Sequence, residues 1–360
     1  MMKKTITLIF IIFCIGIILL TIYNVDTTKA DTVTLANTVI SKWQSNGSPT
    51  SWSEGASGIY RTNGHEYRYV GANVDNWVSF NNDMYRIIGV FDSSTTGVSG
   101  NLVKLIRDKT LMYSAWGAFN DTTNYTTFSN YNNNWTKPAN LNVLLNTYFF
   151  NSDATSQYGT CEDLLYYTIA NTSYGNNYKT NDCSKIKRYS IKTQELRNYI
   201  QPASWYLKGY KTPEYSKSQF YSCERSDSSS ISNCDKSNFY GDTTVTKASN
   251  LRIGLMYVSD YLYASGHYSS SDTTAASYYE GRYPSQNWLY NGFEWTITPV
   301  GTVGQTSFGV TRDGIINSFI TVNALGVRPS FYLKSSVYVT GGNGSYSNPY
   351  TIACDNCGTN

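Results

Sequence analysis

Leu325-Gly326-Val327-Arg328-Pro329-Ser330-Phe331-Tyr332-Leu333-Lys334 is the stretch from which the fold can be read. Gly326 and Pro329 interrupt local structure. Beyond them Phe331 and Leu333 alternate with Tyr332 and Lys334, the period of two expected of a strand with one buried face. A matching apolar run lies far upstream at Tyr85-Arg86-Ile87-Ile88-Gly89-Val90-Phe91, followed by Leu102-Val103-Lys104-Leu105-Ile106-Arg107. The early and late strands are expected to share one sheet, with the intervening chain elaborating loops and helices on it.

Downstream of this stretch, Gly341-Gly342-Asn343-Gly344-Ser345 makes a turn between strands at 337–339 and 350–352, a closing hairpin. Upstream, strands are expected at 67–73 and 77–85, where an Asn81-Asn82-Asp83 turn feeds the first core strand. Others are expected at 251–256, 294–299 and 307–310, the last turning through Arg312-Asp313-Gly314. Three helical signals occupy the middle. Pro138 suits a first turn ahead of Leu141, Leu144, Leu145, Tyr148 and Phe149, and Ser190 suits a cap for a helix burying Leu196, Tyr199 and Ile200. The third lies around 261–264, while residues 208–247 read as polar loops. The fold class is therefore α+β: a mixed sheet with two or three helices and long loops.

Near the amino terminus, Ala36, Val39, Ile40 and Trp43 have helical spacing, and Asn46-Gly47-Ser48-Pro49 ends that helix. Met1-Met2-Lys3-Lys4 precedes eighteen uncharged residues at 5–22, which as a helix would span roughly 27 Å, close to a hydrocarbon core. The lysines place the amino terminus inside the cell. The run exceeds a usual signal-peptide core, favouring an uncleaved anchor, whereas Thr28-Lys29-Ala30 ahead of Asp31 offers a cleavage site and release. Three segments follow: a basic stub and signal anchor at 1–30, a helical and Ser/Gly-rich stalk at 31–65, and an extracellular α+β domain at 66–360. Localisation at the bacterial cell membrane with an exported body is expected.

Cysteine usage fits export. Outside the apolar run the six cysteines form three close pairs, Cys161 with Cys183, Cys223 with Cys234, and Cys354 with Cys357. Local bridges across the first two pairs would each remove about 3 kcal/mol of unfolded-chain entropy. The Cys354-Asp355-Asn356-Cys357 spacing lacks the second CxxC or nearby His of a zinc site, so a small terminal disulfide is the expectation and no metal is assigned.

Several blocks together carry a resemblance. They are Tyr67-Arg68-Tyr69-Val70-Gly71-Ala72-Asn73, Tyr85-Arg86-Ile87-Ile88-Gly89-Val90-Phe91, Gly326-Val327-Arg328-Pro329 and Gly341-Gly342-Asn343-Gly344-Ser345. In their order they resemble a large family of exported bacterial surface proteins carrying a domain of unknown function. The order of elements also looks like a C-type-lectin-like fold, including formylglycine-generating-enzyme relatives. That second resemblance implies paired termini and ligand contact through the long loop. The calcium-binding triplets of sugar-binding lectins are not visible in the sequence, and fold alone does not fix function.

Composition narrows the function classes. Without residues 1–30 the chain carries 25 basic and 24 acidic groups, net about +1, and no basic run, a poor grip on a polyanion, so no nucleic-acid partner is expected. The 33 tyrosines, with abundant Asn, Ser, Thr and Gly, suit contacts made by stacking and neutral hydrogen bonds. His65 and His267 are the only histidines, and neither a G-x-S-x-G elbow nor an H-E-x-x-H helix occurs. Glu280, Glu294, Asp260 and Asp313 leave a carboxylate-pair hydrolase as the alternative enzyme class. The expected contact face is the loop at 265–287 and its border, with His267, Tyr278, Tyr279, Arg282, Tyr283 and Trp288 as ligand-binding candidates. The competing reading makes Trp288 and Trp295 packing residues and Arg328 a partner of carbonyls or an acid. A non-enzymatic binding module without cofactor, taking a glycan or a surface protein, is expected. A purely structural surface component is the third reading.

Overall fold

The computed structural model describes residues 32–117, 133–136, 139–162, 164–165, 183–225, 234–236, 246–267, 283–301, 303–304, 306–321 and 323–358. The chain divides into Met1–Val33 and Thr34–Asn360. The apolar run at 5–22 and the cleavage-site residues 28–30 lie outside the described residues. No helix among the described residues is long and apolar enough to cross a membrane.

The first helix, Leu35–Ser45, starts where the Thr34 side chain accepts from the Asn37 backbone N–H, and it buries Leu35, Ala36, Val39 and Trp43. Six strands follow: β1 Gly58–Thr62, β2 Glu66–Val70, β3 Trp77–Phe80, β4 Asp83–Phe91, β5 Leu102–Arg107 and β6 Met112–Ser114. After helical segments come β7 Ile200–Gln201, β8 Ala203–Tyr206, β9 Lys208–Tyr210, β10 Cys234–Lys236, β11 Lys247–Leu251 and β12 Ile253–Gly254. The last group is β13 Glu294–Pro299, β14 Thr306–Val310, β15 Ile316–Ile320, β16 Leu325–Val327, β17 Ser330–Leu333, β18 Tyr338–Gly341 and β19 Tyr350–Ala353.

Among the described residues these strands build a ten-stranded sheet ordered β12-β17-β5-β4-β3-β19-β18, with β2 and β1 joining through β4 and β7 through β17. A five-stranded sheet runs β15-β14-β13-β16-β6. The expectation of a shared sheet holds: Ile87 is opposite Leu105 and Leu105 is opposite Phe331 across β4, β5 and β17. Two features differ from it. The intervening chain does more than decorate one sheet, because it supplies most of a second. And β17 is buried on both faces, Phe331 against Phe80 and Tyr85 and Tyr332 against Phe91 and Trp205, because β8 covers the face expected to be solvated.

The ten-residue stretch at 325–334 belongs to both sheets. β16 pairs with β6 and β17 with β5, all antiparallel, so two neighbouring segments leave one sheet and enter the other side by side. Arg328 and Pro329 make the crossing, where Pro329 C=O accepts from Arg107 N–H at 3.0 Å and Leu111 N–H donates to Val327 C=O at 2.8 Å.

The Asn81-Asn82 turn has φ of 57° and 56°, the left-handed pair that a two-residue hairpin needs and that Asn tolerates. The closing hairpin β18–β19 forms, and β19 also lies parallel to β3. All three expected disulfides are present. The helix over Asn140–Val143 continues with π geometry through Leu144–Phe149 and buries the expected apolar face, while Pro138 lies outside the described residues. The Ser190 assignment is corrected: Thr193 caps a short helix Gln194–Asn198, and Ile200 has already entered β7. A helix at Lys217–Glu224 stands where polar loops were expected, closed by a Ser216–Gln219 capping box. Residues 34–62, expected as part of a stalk, pack into the body through Leu35–Ser45 and through β1 pairing with β2.

Candidate functional site

One lateral row of the large sheet assembles the chemistry. Arg68 on β2 is opposite Gly89 on β4, Gly89 opposite Lys104 on β5, and Lys104 opposite Tyr332 on β17. Residues opposite one another share a face, so the row places two cations and a phenol together. Gly89 makes the approach possible, since a Cβ there would lie 2.4 Å from the Tyr67 carbonyl oxygen. Two residues along β2, Glu66 falls on the same face.

The helix Val258–Tyr263 lays Asp260 onto this row. Asp260 Oδ1 accepts from Arg68 Nη1 at 2.7 Å and Oδ2 from Lys104 Nζ at 2.6 Å, while Arg225 Nη2 stands 3.6 Å away. Arg68 also holds Glu66 at 2.9 Å, and the second oxygen of Glu66 accepts from Thr95 Oγ1 at 2.7 Å and Tyr221 OH at 3.2 Å. Lys104 Nζ lies 4.7 Å from the Trp205 ring centre and 4.5 Å from that of Tyr257, an aromatic lining for a buried ammonium. Beside it, Glu224 accepts from Ser259 N–H at 3.2 Å and from Thr298 Oγ1.

Burial sets the protonation of this cluster. It pulls the Lys104 ammonium down to about 8 despite Asp260, and pushes the Glu224 carboxyl up to about 7. Burial alone would raise Asp260 as well, but the charges of Lys104, Arg68 and Arg225 outweigh it and hold that carboxyl well below the usual range. Glu66, Arg68, Lys104, Glu224 and Asp260 are buried, so the charged heart of the network is a scaffold behind a surface.

That surface is a cleft of about 220 Å³ lined by Thr50, Ser51, Trp52, Thr62, Asn63, Lys217 and Tyr263. Tyr263 is the link, its ring centre 5.1 Å from the Arg68 guanidinium and its hydroxyl donating to Asn63 Oδ1 at 3.0 Å. Asn63 and Gly64 have φ of 52° and 78°, closing the β1–β2 hairpin. Trp52 stands in the loop before β1, its ring centre 5.4 Å from Tyr60 and 6.3 Å from Tyr263, with Lys217 Nζ 4.8 Å from its own. Three lining side chains carry shielded polar atoms with no hydrogen-bond partner among the described residues: Trp52 Nε1, Thr62 Oγ1 and Asn63 Nδ2. Such atoms are costly when unmet.

The sequence-nominated residues fall elsewhere. His267 stacks on Tyr283 with ring centres 3.9 Å apart and sets Nδ1 2.8 Å from Glu54 Oε2. Trp288 is 5% exposed, donates from Nε1 to Tyr69 C=O at 2.8 Å, and lies with Trp77 beside the Arg86 guanidinium, which makes it a packing residue. Tyr278, Tyr279 and Arg282 lie outside the described residues, although the loop's ends are pinned where Gly266 N–H meets Gln286 C=O at 2.8 Å. Of the four candidate carboxylates, Asp260 belongs to the buried network and Glu294 takes a two-pronged bond from Arg328, both at 2.7 Å. Asp313 accepts from Thr311 in its turn, and Glu280 lies outside the described residues. Among the described residues no three His, Cys, Asp or Glu side chains are grouped to hold a metal ion. Trp52, Asn63, Lys217 and Tyr263 were missed in the sequence; the available signals were the Asn63-Gly64 turn pair and a lone Trp in a polar loop.

No protein-family model, no curated protein and no solved structure matches the chain.

Proposed function

We propose that this chain is an extracellular, non-enzymatic binding module of the bacterial surface that takes one neutral sugar ring in the Trp52 cleft. The carrying observation is the pairing of aromatic walls, Trp52 and Tyr263, with three unmet polar atoms on Trp52, Thr62 and Asn63. A sugar presents C–H faces to aromatic rings and hydroxyls to donors, and its entry would recover the cost of those unmet atoms. The cleft volume is below the ~300 Å³ lower end of drug-sized pockets, a fit for one ring rather than a long chain. The disulfides support an oxidising compartment, in line with an exported body held by the 5–22 run. The C-type-lectin-like reading draws support from the meeting of the described ends, Thr34 bridging Tyr338. Against a carboxylate-pair hydrolase stands the engagement of Asp260 and Glu294 by separate cations.

The test is a glycan array probed with the full chain, followed by Trp fluorescence titration of any retained sugar. Retention that is lost in Trp52→Ala is expected. An array without retained glycan, or binding unchanged in Trp52→Ala, overturns the proposal.

A further inference from the structure

A second cleft, sharing no lining residue with the first, opens at the end of the organising strand. It measures about 100 Å³ and is lined by Arg197, Arg252 and Lys334 with Gln194, Asn198 and the apolar side chains of Phe150, Ile200 and Pro202. Three elements of the sheet deliver the cations: Lys334 follows β17, Arg252 precedes β12, and Arg197 sits on the short helix that leads into β7. Both β12 and β7 pair with β17, so the convergence follows from the strand order.

Hydrogen bonding inside the cleft has a consistent direction. Gln194 Oε1 accepts from Arg197 Nε at 3.2 Å, and Asn198 Oδ1 accepts from Gln194 Nε2 at 2.7 Å. Both amide oxygens are thereby occupied by neighbours, which leaves the Asn198 amide nitrogen as a donor. Arg197 Nη1 is tied to Ile191 C=O at 2.9 Å, which fixes the guanidinium and leaves Nη2 for an incoming group. Arg252 lies 5.1 Å from the Phe150 ring centre, and neither it nor Lys334 makes an ion pair with a carboxylate among the described residues. The acidic side chain on the same helix, Glu195, is not part of the lining. Three like charges around one small recess repel one another, and the apolar wall of Phe150, Ile200 and Pro202 strengthens their field.

We propose that this recess is a binding site for a single oxyanion, a phosphate or carboxylate group, held by Arg197, Arg252 and Lys334. An acceptor-only anion meets every donor presented there and relieves the mutual repulsion of the cations. The volume, equal to several waters, matches one such group. The site does not depend on the sugar reading of the Trp52 cleft.

The experiment is calorimetric titration of the full chain at fixed ionic strength with three probes: inorganic phosphate, acetate, and a short phosphodiester-linked glycerol oligomer. Saturable binding of at least one probe is expected, weakened about tenfold by Lys334→Gln and again by Arg252→Gln. Tighter binding of the oligomer than of phosphate identifies a polymer as the source; phosphate or acetate alone identifies a free ion. Neither substituted side chain makes a hydrogen bond to a described residue, so both variants keep the parent's denaturation midpoint, which separates lost binding from lost folding. Absence of saturable binding by all three probes, or binding unchanged in the double variant, overturns the proposal.

Discussion

Arg68 and Asp260 meet at 2.7 Å across 192 residues of chain, and neither reaches solvent. The contact ties a hairpin near the amino terminus to a helix late in the chain, directly behind the Tyr263 wall of the aromatic cleft. Three cations address this single carboxylate, so its removal strands charge in the interior.

Asp260→Asn is accordingly expected to destabilise the chain by about 3–5 kcal/mol, since Lys104 and Arg225 would lose their carboxylate and Arg68 would keep only Glu66. The denaturation midpoint in urea measures this. Combining it with Lys104→Met should recover part of the loss, and an additive double variant would refute the coupling.

Glu224 gives the network a pH signature. Its carboxyl sits at about 7 in the folded chain against an ordinary value of 4.5, so the folded state holds this proton more tightly. Its contribution is complete below pH 4.5 and is lost as pH rises toward 7, a fall on the order of 3 kcal/mol. Glu224→Gln should flatten that part of the curve, checked by comparing urea midpoints of parent and variant at pH 5 and pH 7.5. Asp260 acts in the opposite sense, its contribution being lost in acid.

Asn63→Gly separates binding from folding in the aromatic cleft. Glycine adopts the φ of 52° freely, so the hairpin survives, while the side chain that lines the cleft disappears. Sugar affinity should drop about tenfold or more with the midpoint held within about 1 kcal/mol of the parent. Fluorescence titration with thermal melts reads both quantities.

Arg328→Lys is expected to cost about 2–4 kcal/mol although it keeps the charge. An ammonium cannot reproduce the fork on Glu294 while also reaching the Leu289 carbonyl. Urea denaturation of the variant tests this, and a midpoint equal to the parent's would refute it.

Much of the scaffold could be read from residue pattern. The Asn81-Asn82 turn, the closing hairpin, the pairing of the six cysteines, and the sheet shared by Ile87 and Phe331 all arise from local chemistry or simple periodicity. The second sheet was not legible, because the three residues of β16 are too few to show a period and lie next to a Pro that suggests a break. The two-faced burial of β17 escaped for a related reason: Tyr332 is amphipathic, and its alternation with Phe331 looks the same whether or not β8 lies over it. The charge network was illegible in principle, since pairing Arg68 with Asp260 needs the lateral register of several strands. The Trp52 cleft was not legible because Trp52 lies in a Ser/Gly-rich segment whose composition suggests a tether.

The crossing at Arg328-Pro329 has a consequence for how the molecule opens. Because adjoining segments are shared by both sheets, a fluctuation that frees one layer must drag the other with it. Amide hydrogens of residues 325–327 and 331–333 should therefore exchange with deuterium as one cooperative unit, at the free energy of global unfolding. The crossing is, in this sense, a rivet.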